Sequence, residues 1–363
     1  VPPERSEGAG AHLFNVIHLP ESLNSRGLAS KEGKMLIIAR KAGIALFTLL
    51  IVMSFTFFLV RKVPGDPLYM WAMELVQTHG MDFESAYAQV KQLYDYDPNE
   101  PLGQQYIRYI KGLMRGNLGT SMVYKISTNR IIIKALPWTV FVLSISLLIS
   151  FGLGSLMGMI IAWKRKTALD PVVTAYAAFT GATPDYITAL ILLIVFAINL
   201  KLFPLKGAYD SALTPGFNWP FIKSVLHHAI LPISAYVFEN TAAWAMAMKG
   251  SAVSVLGEDY IMAARARGLK ERRIMVSYMG RNAVLPLVTG LAIALGTMLG
   301  GATFIETIFN YPGIGWFFWQ ATTRMDFGLM QGLFLMTAAA TIFSNLLADI
   351  LYSRLDPRIK LEE

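Results

Sequence analysis

The sequence predicts an all-α polytopic membrane protein that crosses the bilayer six times, with an extracellular helical insertion between its first and second spans. Three observations carry this. Of 363 residues, 54% are hydrophobic and only 15% charged, against about 25% charged in an average soluble domain. The apolar residues gather into long runs, and about 20 such residues suffice to cross a hydrocarbon core about 30 Å thick. Lys and Arg collect beside these runs, the pattern that orients spans with their basic flanks in the cytoplasm. A formal net charge of +8 raises nucleic acid as a partner. The basic residues form no domain of their own, however, so no nucleic acid is expected. With no cysteine in the chain, disulfides, thiolate metal sites and cysteine nucleophiles are excluded.

Residues 1–34 are polar, rich in Gly, Pro and Ser, and without sustained period. They read as a disordered N-terminal tail or a remnant of vector sequence. No basic start runs into a short apolar core and cleavage site, so they are not expected to be a signal peptide. Residues 35–62 carry the first span: Ala42–Val60 is uncharged, and Arg40 and Lys41 place its start in the cytoplasm. It leaves through Val63-Pro64-Gly65-Asp66-Pro67, where proline–glycine punctuation marks a turn.

Residues 63–130 are too long and polar for a simple loop. Leu68–Thr78 and Phe83–Tyr94 read as short helices. Leu102, Tyr106, Tyr109, Ile110, Leu113 and Met114 recur at spacings of three and four, a helical stripe expected to pack against its own small domain rather than to hold a ligand.

Residues 131–353 hold five further spans. The second, Ala135–Trp163, carries Gly152, Gly154 and Gly158, small residues that permit close helix contact in lipid, and ends in Lys164, Arg165 and Lys166. The third, Pro171–Leu200, is interrupted at Pro184-Asp185, a break tolerated where neighbours or water satisfy the freed backbone. After an outer loop the fourth runs from Ser224 to Met248, with Glu239 and Asn240 inside it. The fifth covers Asn282–Ile305 and the sixth Phe327–Ala348. An even number of spans returns residues 354–363, a short tail, to the cytoplasm with the N-terminus.

Between the fourth and fifth spans lies a basic loop, residues 250–283. Its centre reads EDYIMAARARGLKERRIMVSYMGRNAVLP from Glu258 to Pro286. Asp259–Leu269 has a helical pattern: Ala263, Ala264 and Ala266 favour helix and Gly268 can end it. Topology alone accounts for the arginines. It does not account for the Ala-rich turn, the placed glycine, or Arg281-Asn282 before Leu285-Pro286.

This segment resembles the cytoplasmic loop of ABC-transporter permeases in the branch that imports peptides, nickel and some oligosaccharides, which reads roughly DYVRTARAKGL, a basic run, then RNALLP. The matching residues are Asp259, Tyr260, Ala264, Arg265, Ala266, Gly268, Leu269, Arg281, Asn282, Ala283, Leu285 and Pro286. Met262 departs from the pattern, standing where the wider superfamily often has Glu. The turn at 64–67, the Gly116–Ser121 element, Glu306–Gly315 and the stretch from Asn345 to Arg358 are similar to further motifs of the branch in the same order, so the resemblance runs from about residue 36 to the C-terminus.

The resemblance implies the type I ABC importer permease fold and a coupling helix that docks on an ATPase subunit. Its residues would be Asp259, Tyr260, Ala264, Arg265, Ala266, Arg267, Gly268 and Leu269. It also implies the partners: a second homologous permease, two ATPase subunits, an extracellular or periplasmic substrate-binding protein, and membrane lipid. ATP and Mg would sit on the ATPase subunits and no cofactor on this chain, which has no GxxxxGK[ST] loop. The chain is then a permease rather than an enzyme.

A self-sufficient secondary transporter or channel is the rival reading. Such proteins commonly show paired repeats and membrane-embedded charges. No convincing repeat is present, and Asp185 and Glu239 are the candidate charges. With Asn240 they are the candidate substrate-path residues. A glutamate facing lipid costs roughly 2.5 to 3.5 kcal/mol on insertion scales, so Glu239 should face a partner or a watery cavity, with Asn240 or Asn282 as structural partners. The Gly-rich faces of the second and fifth spans are the expected contacts with the second permease. His227-His228 reads as an interfacial pair, not a metal site, because adjacent helical residues point about 100° apart.

Overall fold

In a computed structural model the residues described are 31–62, 67–94, 100–164, 168–298 and 303–355. The turn at 63–66, Asp95, Asp97, Arg165, Lys166 and Asp356–Arg358 lie outside them. The chain divides into two compact units, Val1–Phe47 and Thr48–Glu363. Of the first, the described part is the beginning of α1 (Lys31–Lys62). The second unit holds the rest of α1 and every later helix.

Among the described residues the structure is helical, with one isolated β-bridge between Thr120 and Ser127. Three short helices follow α1: α2 (Pro67–His79), α3 (Phe83–Tyr94) and α4 (Leu102–Met114). α2 and α3 pack as a pair, with the rings of Tyr69 and Phe83 5.2 Å apart. α5 (Thr128–Trp163) and α8 (Trp219–Leu256) are the longest helices, and their mutual packing is the most extensive in the molecule.

Glycine makes that packing possible. A Cβ on Gly154 would lie 2.6 Å from the Thr241 carbonyl oxygen, and one on Gly158 would overlap the Ala245 carbonyl. The opposing face of α8 is correspondingly small, with Ala242, Ala245 and Ala252 fully buried. On α12 (Leu285–Thr297), Gly296 is likewise closed off by Ser344 of α15 (Phe327–Leu355). The expectation that the Gly-rich faces meet a second subunit is corrected for Gly154, Gly158 and Gly296, whose closest contacts lie inside this chain, whereas Gly152 has nothing within 4 Å.

Two regions depart from straight spans. α6 (Leu169–Ala182) and α7 (Asp185–Leu192, continuing as a π-helical stretch Leu193–Asn199) meet at 101°. The cause is Pro184, which offers no N–H and holds Thr183 in extended backbone. The second departure begins after α9 (Asp259–Ala266). There α10 (Glu271–Arg273), a π-helical stretch Ile274–Gly280 and α11 (Arg281–Ala283) meet α12 with a 47° bend. Of the stretch expected as the fifth span, α12 covers Leu285–Thr297, and Ile305 lies in α13 (Thr303–Ile308). α14 (Ile314–Thr323) precedes α15. Among the described residues four helices are long and apolar enough to cross a membrane, and six if each bent pair counts as one span. Their outer faces carry exposed Ile133, Leu148, Leu156 and Phe343, as a lipid-facing surface requires.

Candidate functional site

α9 is a short helix held from inside and open outside. Its last turn closes with Gly268 N–H donating to Arg265 O at 2.9 Å and Leu269 N–H donating to Ala264 O at 3.3 Å. Gly268 has φ +71. These are the two bonds and the left-handed residue of a Schellman ending, and a side chain at that φ would add roughly 1–2 kcal/mol. Asp259 in the first turn favours the positive end of the helix.

Ile261 and Ala264 point inward, buried with Ala162 of α5, Met248 and Ala252 of α8, and Met279. Leu269 packs half-buried against the same cluster. Asp259, Tyr260, Met262, Arg265, Ala266, Arg267 and Gly268 are exposed. Arg265 lies with its guanidinium 5.5 Å from the Trp163 ring centroid and its Nε 3.7 Å from Glu271 Oε1. That ion pair is exposed and holds the helix only weakly.

Of the eight sequence-predicted coupling residues, six thus present outward, while Ala264 and Leu269 turn inward as anchors. Ile261 is the anchor that sequence reasoning missed, although its i, i+3 spacing with Ala264 carried the signal. Around α9, Ser251 Oγ donates to Ala283 O at 2.7 Å and Lys249 pairs with Asp170, tying the end of α8 to α11 and to the start of α6.

The second candidate set lies higher in the bundle, in the seam between α7 and α8. Glu239 is half-buried and accepts a hydrogen bond from the Thr188 hydroxyl. Asp185, half-buried in the first turn of α7, lies close enough to act electrostatically on Glu239 and Tyr236. Asn240 donates to Tyr236 O on its own helix at 2.9 Å, and Asn282 to Tyr278 O at 2.6 Å. Neither asparagine is therefore the partner of Glu239; Thr188 is. Among the described residues no Lys or Arg pairs with either carboxylate. The structure brings Asp185 and Glu239 into one seam and sets Asn240 about 100° round the helix from Glu239. No group of three His, Asp or Glu side chains placed to hold a metal is found among the described residues.

The model of the binding-protein-dependent transport system inner membrane component family matches residues 154–361, which takes in α9, the seam and the last helix. The chain belongs to this family. It is a permease of an ABC transporter, a membrane component and not itself an enzyme, and the rival reading as a self-sufficient carrier falls. Similar proteins include the oligopeptide transport system permease protein AppB of Bacillus subtilis, 29% identical over 326 residues, covering 89% of this chain and 98% of that one. The dipeptide transport system permease protein DppB of Escherichia coli is 32% identical over 340 residues, and the di/tripeptide transport system permease protein DppB of Pseudomonas aeruginosa 31% over 336, with the same coverages. A solved amino acid ABC transporter with histidines overlaps 62% of this chain and 94% of its own at a TM-score of 0.44 and 16% identity.

This permease also holds two buried carboxylates that the sequence alone did not single out. Glu306 in α13 accepts from Thr139 Oγ1 at 2.7 Å and from the Trp316 backbone N–H at 3.1 Å, while Thr139 Oγ1 in turn accepts from Ile314 N–H at 2.8 Å. Asp326 caps α15 through Leu329 N–H at 3.1 Å. It also accepts from the Ser121 hydroxyl and from the N–H groups of Met122 and Val123, each at 3.1 Å. A carboxylate beside an apolar run and an Asp before a helix were the available signals.

The stripe on α4 also differs from expectation. Tyr109 stacks on Phe57 of α1 and Tyr106 meets the same ring edge to face, while Tyr106 shares a 2.6 Å hydrogen bond with Ser54. Its partner is the first span, not a separate small domain. Burial pushes the Tyr109 hydroxyl up to about 12.

Proposed function

We propose that this permease forms half of the translocation path of an ATP-driven peptide importer. The other half comes from a second, homologous permease. Two ATPase subunits hold ATP with Mg and carry out the hydrolysis, and an extracellular binding protein delivers the substrate. The peptide class is drawn from the oligopeptide and dipeptide systems named among the relatives. Both termini and α9 lie in the cytoplasm and residues 63–130 outside, as the basic flanks of the spans favour.

The observation that carries this reading is the two-sided build of α9. Its inner side, Ile261 and Ala264, is locked to the ends of α5 and α8. Its outer side is an exposed, basic surface whose ion pairing among the described residues is the weak Arg265–Glu271 contact. A push on the outer side therefore moves the ends of two long helices. From Leu256, α8 reaches Glu239 in about 25 Å at 1.5 Å per residue, so the same rigid helix links the coupling surface to the seam.

The test is Arg265→Glu combined with Arg267→Glu in the assembled importer in liposomes, with binding protein, peptide and ATP. Charge reversal at a docking surface costs several kcal/mol, so peptide-stimulated ATP hydrolysis should fall at least about tenfold while the permease inserts and assembles normally. Normal coupled transport in that variant would refute the reading. The permease purified alone should hydrolyse no ATP.

A further inference from the structure

Two adjoining depressions at the start of α8 share Lys223 and His227. The upper one, about 810 Å³, is walled by the loop 200–218 and the start of α8 and has Lys206, Lys223, His227, His228 and Asp210 among its lining side chains. The lower one, about 720 Å³, runs down the face between α5 and α8 and is apolar, lined by Ile145, Ile149, Leu226, Ile230 and Ile233. Neither belongs to the α9 surface or the Asp185–Glu239 seam.

The polar groups of the upper depression are unevenly engaged. His227 Nε2 donates to Leu202 O at 3.0 Å and His228 Nδ1 to Ser224 O at 2.8 Å, since a carbonyl can only accept. Asp210 Oδ1 accepts the Ala212 N–H at 3.0 Å. Lys206 and Lys223 have no ion-pair partner among the described residues, and they leave the depression cationic against the single carboxylate of Asp210.

Exposed Phe217 and Trp219 lie at the start of α8, Trp219 one turn before Lys223, and aromatic side chains of this kind mark the headgroup layer of a bilayer. Below them, Leu226 to Ile233 spans about 11 Å of helix, against about 15 Å for one leaflet of a 30 Å hydrocarbon core. A cationic cup at headgroup depth thus opens into an apolar groove of nearly acyl-chain length.

We infer that this composite site binds an anionic phospholipid, its phosphate between Lys206 and Lys223 and one acyl chain along the Ile145–Ile149 and Leu226–Ile233 faces. A zwitterionic lipid satisfies the groove but brings a cation to the cup. A free phosphate satisfies the cup and leaves the groove empty. Basic pockets beside membrane helices select anionic headgroups on the same grounds. The inference stands apart from the peptide-importer reading, because it needs only that α5 and α8 cross a bilayer.

The test uses the full chain in nanodiscs that mix phosphatidylglycerol and phosphatidylcholine, with release into native mass spectrometry. Phosphatidylglycerol should be retained preferentially. K206E with K223E should lower that retention at least roughly tenfold, two surface lysines each contributing to anionic-lipid attraction. Ile230→Trp, which fills the groove and leaves the cup intact, should lower it too, and millimolar glycerol phosphate should not displace the lipid. Equal retention of the two lipids, or retention indifferent to both variants, overturns the inference. So does displacement by glycerol phosphate, which would leave a free-anion site. A photo-crosslinker at Ile230 in native membranes supplies an independent arm: an adduct of lipid mass supports the site, whereas capture of another protein assigns the groove to a subunit contact and overturns it.

Discussion

Glu306 and Glu239 are both glutamates set among apolar helices, and their surroundings differ in kind. Glu306 is 2% exposed and meets a threonine hydroxyl and a backbone N–H, while the chain comes so close that Gly313 lies against its carboxylate. Glu239 is half-buried, takes one hydrogen bond from Thr188, and shares its seam with a second carboxylate and, among the described residues, no cation. A buried carboxylate persists only when its lone pairs are satisfied. Glu306 meets that condition inside the chain, and Glu239 meets it incompletely. The first arrangement is that of a fixed structural joint, and the second leaves acceptor positions of Glu239 open among the described residues.

Asp326 belongs with Glu306 and should give the largest effect. Asp326→Ala strips the acceptor from the Ser121 hydroxyl and from the N–H groups of Met122, Val123 and Leu329. Orphaned buried donors cost about 1–3 kcal/mol each, and a lost helix cap adds about 1. Thermal unfolding in detergent should shift by at least about 3 kcal/mol equivalent, with Asp326→Asn recovering part of it through its remaining oxygen. A stability change within the noise would show that the loop 116–130 is not fastened to α15 as the geometry indicates.

Glu306 ranks second. Glu306→Ala removes the acceptor for Thr139 and Trp316 and should cost about 2 kcal/mol. Glu306→Gln keeps an acceptor oxygen and nearly the same volume, and should cost under about 1 kcal/mol. Equal damage from both variants would mean that the charge matters at Glu306, and would erase its contrast with Glu239.

The same contrast explains what the sequence could disclose. Long apolar runs, the Pro184 break and the Gly268 ending are local statements, and a local pattern determines them: a proline lacks its N–H wherever it sits, and a left-handed ending favours glycine wherever it occurs. Which way a residue faces is a tertiary fact. Ala264 and Leu269 match the motif as well as Arg265 does, yet they turn inward because Met248, Ala252 and Met279 supply an apolar floor from distant parts of the chain. Gly154 and Gly158 are open to any neighbour in the sequence, and only the fold assigns them to α8. Asp326 reads as an ordinary loop aspartate until Ser121 is brought to it from far along the chain. The 101° angle between α6 and α7 is likewise larger than a prolyl kink within one span implies.

The smallest expected effect on stability, and the sharpest on transport, comes from Glu239→Gln. The amide matches the carboxylate in size and still accepts from Thr188, so unfolding should move by no more than about 0.5 kcal/mol. If the seam receives the ammonium end of a peptide, removing the charge forfeits a charge-assisted hydrogen bond of about 1.5–3 kcal/mol. Uptake of peptides with a free amino terminus should then fall about tenfold or more, a factor of ten corresponding to about 1.4 kcal/mol. Peptides acetylated at that end bring no ammonium, so their uptake should be the same in the variant and the parent. Parallel uptake measurements on one matched peptide pair, in the same liposomes, separate the possibilities. A loss common to both peptides would make Glu239 a structural member of the seam like Glu306, and so would uptake unchanged for both. A loss confined to the free-amino peptide assigns the carboxylate to the path.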